Sequence, residues 1–409
     1  MKILVLNSGS SSQKTALFEL DPEPGNDPVP PLWEGKVEWD GDKETVTTRN
    51  AGGKEIREAS ERPAAQRNTA LEILLAQLWN GPTAVLNNRG AIDIIGHRVV
   101  HGGPKLHEPV LIDAGVKQAI EDVSAIAPLH NKANLAGIDI AEKLFPGKPQ
   151  LAVFDTGFHR TLPNCAAVYP GPYQWFERGI RRYGFHGINH QYCAERAAHM
   201  LRRQLSSLKI VTCHLGNGCS LAAIEGGKSI DTTMGFTPVE GLMMGTRSGS
   251  IDPGILIHLM RTDRDDAEKL DNILNHQSGL LGISGISSDM RDVISAARTG
   301  NSRAKLAFDI FVHRLQTEVA AMTASLGGID VLVFTAGIGE NSAEVRSAAC
   351  SKLGFLGVQL DQQTNSSARP DADISTSNSK VRVLVIRAQE DWAIARECLR
   401  ISQIKARNS

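Results

Sequence analysis

The sequence has little that would stabilise it in an oxidising compartment, carry it across a membrane or attract a polyanion. Six cysteines among 409 residues (Cys165, Cys193, Cys213, Cys219, Cys350, Cys398) are dispersed, with no C-x-x-C pair. That usage argues against a disulfide framework or a zinc site and fits a reducing compartment. Aromatic residues make up only 5% of the chain and the formal net charge is −1. No global field therefore gathers nucleic acid or an anionic membrane. No apolar run approaches the ~20 residues of a membrane span. The opening run Ile3-Leu4-Val5-Leu6 stops at Asn7, short of the ~7–15 apolar residues of a secretory signal. A cytoplasmic protein with neither nucleic acid nor membrane as partner is expected.

What is present belongs to a globular α/β protein, with 41% hydrophobic and 22% charged residues. The length exceeds one ordinary core, so two domains are expected. Short β-rich runs predict strands at Lys2–Leu6, Thr15–Phe18, Ile92–Ile95, Leu151–Phe154, Leu208–Cys213, Ser220–Ile224, Val331–Phe334 and Val381–Ile386. The strongest predicted helix runs from Ser302 to Leu326. Phe308, Phe311, Val312, Leu315, Val319, Met322 and Leu326 form one stripe along it, and Gly327-Gly328 ends it. Asp21–Pro31 and Gln362–Ser379 read as loops, the second a candidate crossover between domains. An internal echo stands out. Lys2–Leu6 enters the small turn Asn7-Ser8-Gly9-Ser10-Ser11-Ser12 and returns as a strand; Leu208–Cys213 does the same through His214-Leu215-Gly216-Asn217-Gly218. The repetition points to a duplicated domain, although Gly/Asn turns are also common in unrelated hairpins.

Small, donor-rich turns let backbone N–H groups approach phosphate oxygens. Both hairpin turns qualify, as does Ala336-Gly337-Ile338-Gly339-Glu340-Asn341, read as a turn entering a helix at Asn341. Gly227-Lys228-Ser229 resembles the end of a Walker A loop, but Ala222 occupies the required first glycine position. Ser342 likewise stands where a dinucleotide fingerprint needs its third glycine. Basic and imidazole residues cluster in Gly96–Gly103, Arg181–Gly187 and Met243–Gly249. Arginine forks suit the equatorial oxygens of a transferring phosphoryl group. Singly, each arginine reads by default as a surface ion-pair partner, and His97, His101 or His186 as a structural histidine. Arg181-Arg182 is a candidate for a small anion. Asp155 ends a predicted buried strand, where α/β sites gather, but also where an aspartate caps the next segment. His130 or Asn131 is a candidate helix cap.

Taken in order, these segments resemble the acetate kinase family, within the superfamily of acetate and sugar kinases, actin and heat-shock chaperones. The resemblance spans nearly the whole chain. It runs from Asn7–Lys14 through Gly96–Gly103, Ala127–Asn131, Phe154–His159, Arg181–Gly187, His214–Gly218, Met234–Arg247 and Gly285–Arg291 to Gly337–Asn341. It implies two duplicated ribonuclease-H-like (actin-like ATPase) domains with the active-site cleft between them. Residues 1–155 with 386–409 would form the N-terminal domain, and 156–385 a nucleotide-binding and dimerisation domain of a homodimer. By resemblance, Arg98 and Arg247 hold the acyl and phosphoryl groups, His186 stabilises transition-state charge, and Asp155 is the catalytic aspartate. Asn7 and Glu390 match positions for Mg²⁺, which Mn²⁺ can replace. Lys14, His214, Leu215, Gly216, Asn217, Gly218, Asp289, Met290, Arg291, Gly337, Ile338, Gly339, Glu340 and Asn341 match nucleotide-binding positions for ATP or ADP. Val100, Leu129, Phe185 and Pro238 match the pocket around the acetate methyl.

The implied reaction converts acetate and ATP to acetyl phosphate and ADP. A propionate or butyrate kinase is the near alternative, and a non-metabolic ATPase of the same superfamily the remote one. The chain departs from the family pattern at Ala388-Gln389-Glu390-Asp391, where Thr-Asn-Glu-Glu is common, at Ile188-Asn189 after His186-Gly187, at Ser250, and at Gly157. None of these removes a matched catalytic group.

Overall fold

The computed structural model describes residues 1–9, 12–40, 43–61, 67–124 and 128–408, without the side chains of residues 40, 67, 128, 129, 406 and 408. The predicted apolar runs become strands, and the chain divides into two compact units, Met1–Gly157 with Gln389–Ser409, and Phe158–Ala388.

The first unit holds β1 (Lys2–Ser8), β2 (Ser12–Glu19), β3 (Trp33–Asp40), β4 (Lys43–Asn50), β5 (Glu55–Glu61), β6 (Ile94–Val99), β7 (Val110–Leu111) and β8 (Gln150–Phe154). They form one sheet in the order β5-β4-β3-β2-β1-β6-β8-β7. The second unit holds β9 (Lys209–Leu215), β10 (Cys219–Glu225), β11 (Lys228–Thr232), β12 (Val331–Thr335), β13 (Ala372–Asp373) and β14 (Arg382–Val385). Their order is β11-β10-β9-β12-β14-β13. The runs β3-β2-β1-β6-β8 and β11-β10-β9-β12-β14 have the same layout. In each, three antiparallel strands are followed by two that run parallel to the first. The hairpin echo is thus the start of a duplicated sheet.

Strand alternation decides what each face meets. In the first unit Leu4, Leu6 and Ile95 cluster with Trp33, Leu74, Ile140 and Phe145, so the helix Pro128–Leu144 covers that face. The final helix Glu390–Asn408 packs on the same sheet. A side chain at Gly96 would meet Ile394 Cγ2 at 2.6 Å and Cys398 Sγ at 2.7 Å. Gly96 therefore lets this helix lie close to β6, and Trp392, completely buried, anchors it against Phe18 at a ring separation of 5.9 Å.

In the second unit the helix Ser302–Leu326 has the predicted limits, with Asn301 accepting from the Ala304 amide and Gly327 ending it at φ 63°. Three expectations need correction. The third strand begins at Ile94 and runs to Val99. Gln362–Ser379 is not a plain loop: Asp361 caps a helix at Gln362–Ser367, and β13 follows. The crossover between units lies after β14, at residues 386–389. The segment Trp33–Glu61, unassigned from sequence, is an antiparallel ladder.

Gly96→Val is expected to cost ~1–3 kcal/mol of folding free energy through overpacking. The measurement is a lower urea midpoint at unchanged slope. An unchanged midpoint would show that the final helix does not depend on that close approach.

Candidate active site

In the first unit, parallel pairing of β1, β6 and β8 lines up their carboxyl ends. Asn7 pairs with Arg98, and Arg98 with Val153, so Asp155 emerges directly after β8. Arg98 Nη2 donates to Asp155 Oδ2 at 2.7 Å, and the Asp155 side chain is fully buried. Burial alone would lower the Arg98 pKa, but the charges of Asp155 and Glu390 raise it above its ordinary value. The final helix starts at Glu390 and brings that carboxylate to 3.9 Å from Arg98 Nε. Asn7 Nδ2 donates to Glu390 Oε2 (3.1 Å) and to Asp391 Oδ1 (2.9 Å). Burial pushes the Asp391 carboxyl up, opposed by its bond from Asn7 and the charge of Lys14. Asp391 was not singled out from sequence. The two acids in the helix's first turn also suit its positive end.

The loop after β6 is tied from behind. Asn131, buried within the helix Pro128–Leu144 rather than capping it, accepts from the His101 amide and donates to the His101 carbonyl. Asn134 accepts from the amide of Val100, itself buried. His97 bonds Gln150, and burial lowers both His97 and His101 to about 4. Both are neutral structural histidines. Ser10, Ser11 and Ala127, together with the Leu129 side chain, lie outside the described residues. Lys14 sits on β2, opposite Asn7 in the register.

In the second unit, His186 precedes the helix Gly187–Leu201 in a left-handed conformation (φ 56°, ψ 24°). That conformation is costly for a residue with a Cβ and concentrates at functional sites. Its ring stacks on His214, with centroids 3.9 Å apart and planes 7° from parallel. Arg247 Nη1 donates to the Pro238 carbonyl at 3.3 Å. A Cβ placed on Gly218 would lie 3.4 Å from Arg247 Nη1 and 3.5 Å from His186 Nε2. The hairpin turn, His186 and Arg247 therefore converge on one point. Burial lowers the Arg247 pKa, and among the described residues no carboxylate pairs with it. A desolvated cation without a protein anion is a site for an anion. Phe185 is buried, its carbonyl accepting from His159. Arg182 is no anion site: it pairs with Glu240 and donates to the Thr233 and Met234 carbonyls.

Three sequence segments also meet in the second unit around a cavity of about 620 Å³. Gly216, Asn217, Asp289, Met290, Arg291, Gly337, Ile338 and Asn341 line it, as do Ser288, Ile294, Arg298 and Ser342, which the sequence reading missed. Ala336–Asn341 is a short helix rather than a turn, and a second helix starts at Ala343 under a Ser342 cap. Gly337 leaves open space where a side chain would be. His214, Leu215, Gly218, Gly339 and Glu340 do not line the cavity. Glu340 braces backbone: its carboxylate accepts from the Ala388 amide at 2.8 Å, and burial raises its pKa. Behind the short helix the fully buried Arg346 donates to the Gly339 and Glu340 carbonyls and to Asn365.

Among the described residues no group of three or more His, Cys, Asp or Glu side chains forms a metal cage. The donors at Asn7 and Glu390 are hard oxygens, beside a second carboxylate. That set fits Mg²⁺, which is commonly held by one or two carboxylates together with substrate phosphates. No helix among the described residues is long and apolar enough to cross a membrane.

The model of the acetokinase family matches residues 2–396. An acetate kinase of Cyanothece sp. is 56% identical over 413 residues, covering 100% of both chains. One from Gloeobacter violaceus is 56% identical, covering 97% of this chain and 98% of its own. The crystal structure of Porphyromonas gingivalis acetate kinase superposes with a TM-score of 0.88 at 40% identity, covering 98% of this chain and 99% of that one. A propionate kinase from Francisella tularensis gives 0.87 at 41%, covering 97% and 98%. With the duplicated sheet and both residue clusters in place, the chain belongs to the acetokinase family.

Proposed function

We propose that the chain transfers the γ-phosphoryl group of ATP to acetate, reversibly, giving acetyl phosphate and ADP by in-line attack of the carboxylate. The observation that carries the reading is Arg247, a half-buried cation that no carboxylate pairs with among the described residues, meeting His186 beside a phosphate-type turn. A carboxylic acid of pKa near ~4–5 is ionised at neutral pH, so acetate needs no general base. Asp155 is correspondingly engaged with Arg98 and acts by holding that guanidinium for the acyl and phosphoryl oxygens. His186 and Arg247 stabilise charge on the transferring group. Asn7 and Glu390 hold Mg²⁺, or Mn²⁺ in its place, which supplies positive charge to the phosphates when bound. The cavity lined by Asn217, Arg291 and Gly337 takes the nucleotide. Val100, Phe185 and Pro238 are assigned to the acetate methyl by their match to the family pattern.

The enzyme works as a cytoplasmic homodimer in this reading. None of the six cysteines forms a disulfide, as a reducing compartment allows. The helix Pro253–Thr262 supports self-association, since Ile255, Ile257 and Met260 on it are exposed and none of its residues is buried. The similarity to a propionate kinase favours propionate as the second substrate to test. One methylene in an apolar pocket discriminates by only ~1–3 kcal/mol. A higher kcat/KM for propionate than for acetate would transfer the assignment to propionate.

With ATP, acetate and Mg²⁺, hydroxylamine should trap acetyl hydroxamate; no product under these conditions would remove the enzymatic reading. Arg98→Ala and Arg247→Ala should each lower kcat by roughly 10²-fold or more. Wild-type turnover in either variant excludes that arginine from the reaction. Glu390→Ala should raise the Mg²⁺ concentration for half-maximal rate, and an unchanged metal dependence would separate Glu390 from the metal.

A further inference from the structure

Behind His186 lies a line of buried polar groups that the reaction itself does not use. His186 Nδ1 is 2.9 Å from Ser220 Oγ, Ser220 Oγ is 2.8 Å from His190 Nε2, and His190 Nδ1 is 2.7 Å from Thr212 Oγ1. Ser220, His190 and Thr212 are each completely buried. Such a chain can run with either polarity, and its direction decides which nitrogen of His186 carries the proton.

The Thr212 end decides the direction. A buried hydroxyl has one hydrogen to place, and leaving it without an acceptor costs free energy. Among the described residues the His190 ring nitrogen is the acceptor within reach of Thr212 Oγ1. Thr212 therefore donates to His190 Nδ1. Burial, reinforced by His159 and His214, holds His190 well below its ordinary pKa, so it keeps one ring proton, now on Nε2. That N–H donates to Ser220 Oγ, and the Ser220 hydroxyl donates to His186 Nδ1.

We propose that Thr212, His190 and Ser220 are positioning residues that hold His186 as its Nε2–H tautomer, with the donor edge beside Arg247. Nε2 is the nitrogen facing the point that Gly218 leaves open next to Arg247 Nη1. The opposite tautomer would aim a lone pair at an incoming phosphoryl oxygen. The inference rests on the catalytic reading of His186 given above, and it extends that reading inward to β9 and β10, which carry Thr212 and Ser220.

Nitrogen NMR of the full chain labelled in histidine tests it, with His186 signals assigned by their loss in His186→Gln. Expected is a pyrrole-type Nε2 and a pyridine-type Nδ1 at His186. A proton on Nδ1 overturns the proposal. Thr212→Val keeps the shape and removes the hydroxyl. It should give a mixed tautomer at His186 and lower kcat about tenfold or more, with KM for ATP and acetate within twofold. Thr212→Ser, which restores the hydroxyl, should recover both. A Thr212→Val enzyme with reduced stability but unchanged tautomer and kcat shows a merely structural line. Wild-type turnover in His186→Gln would instead overturn the role of His186 itself, whatever its tautomer.

Discussion

The pairing of Arg98 with the fully buried carboxylate of Asp155 is the constraint around which the first unit is arranged. An ion pair taken out of water is tolerated only when its geometry is good and its remaining groups are engaged. Parallel register supplies that geometry. β1, β6 and β8 end side by side, so three residues distant in sequence leave the sheet together. The final helix then brings Glu390 and Asp391 to the same place, with Gly96 giving it room to lie close. A disturbance under that helix is therefore also a disturbance of the Arg98 environment.

The second unit uses the same sheet plan differently. Its hairpin turn, the segment after β12 and the start of the helix Met290–Arg298 meet at a cavity. Much of the machinery behind that cavity is rigid support. Arg346 is buried, and carbonyl groups of Gly339, Glu340 and Asn365 take up its donors. Glu340 is likewise spent on backbone amides rather than on a ligand. Preorganised supports of this kind let a site meet developing charge without reorganising.

The architecture was largely legible in the sequence where local physics dominates. The stripe and glycine stop of Ser302–Leu326 gave that helix its limits, and the apolar runs located the central strands within a few residues. In β3, β4 and β5 the buried Trp33 and Val37 are spaced by charged and polar residues and β5 is largely exposed, so the apolar signal is weak and the ladder was missed for that reason. The helix Gln362–Ser367 is polar throughout and is held by Asp361 and by Arg346 on Asn365, contacts no periodicity reveals. The site was legible through family resemblance rather than through pattern. Asn7 and Glu390, 383 positions apart, share no local feature. Asp391, Ser220, Thr212 and Arg346 act through neighbours, and only the folded geometry discloses them.

Arg98 and Arg247 look equivalent in sequence, and their surroundings make them opposites. Around Arg98, Asp155, Glu390 and Asp391 supply more carboxylates than the one guanidinium can match. Such a set favours an added cation with hard-oxygen preference. Around Arg247 the imbalance has the other sign, since burial weakens its protonation and no described carboxylate offsets it. A phosphoryl anion at Arg247 would relieve that cost, which the Pro238 carbonyl and the Met244 thioether offset only in part. The two imbalances call for opposite charges, a hard cation at the first and a phosphoryl anion at the second, and a metal-bound polyphosphate carries both.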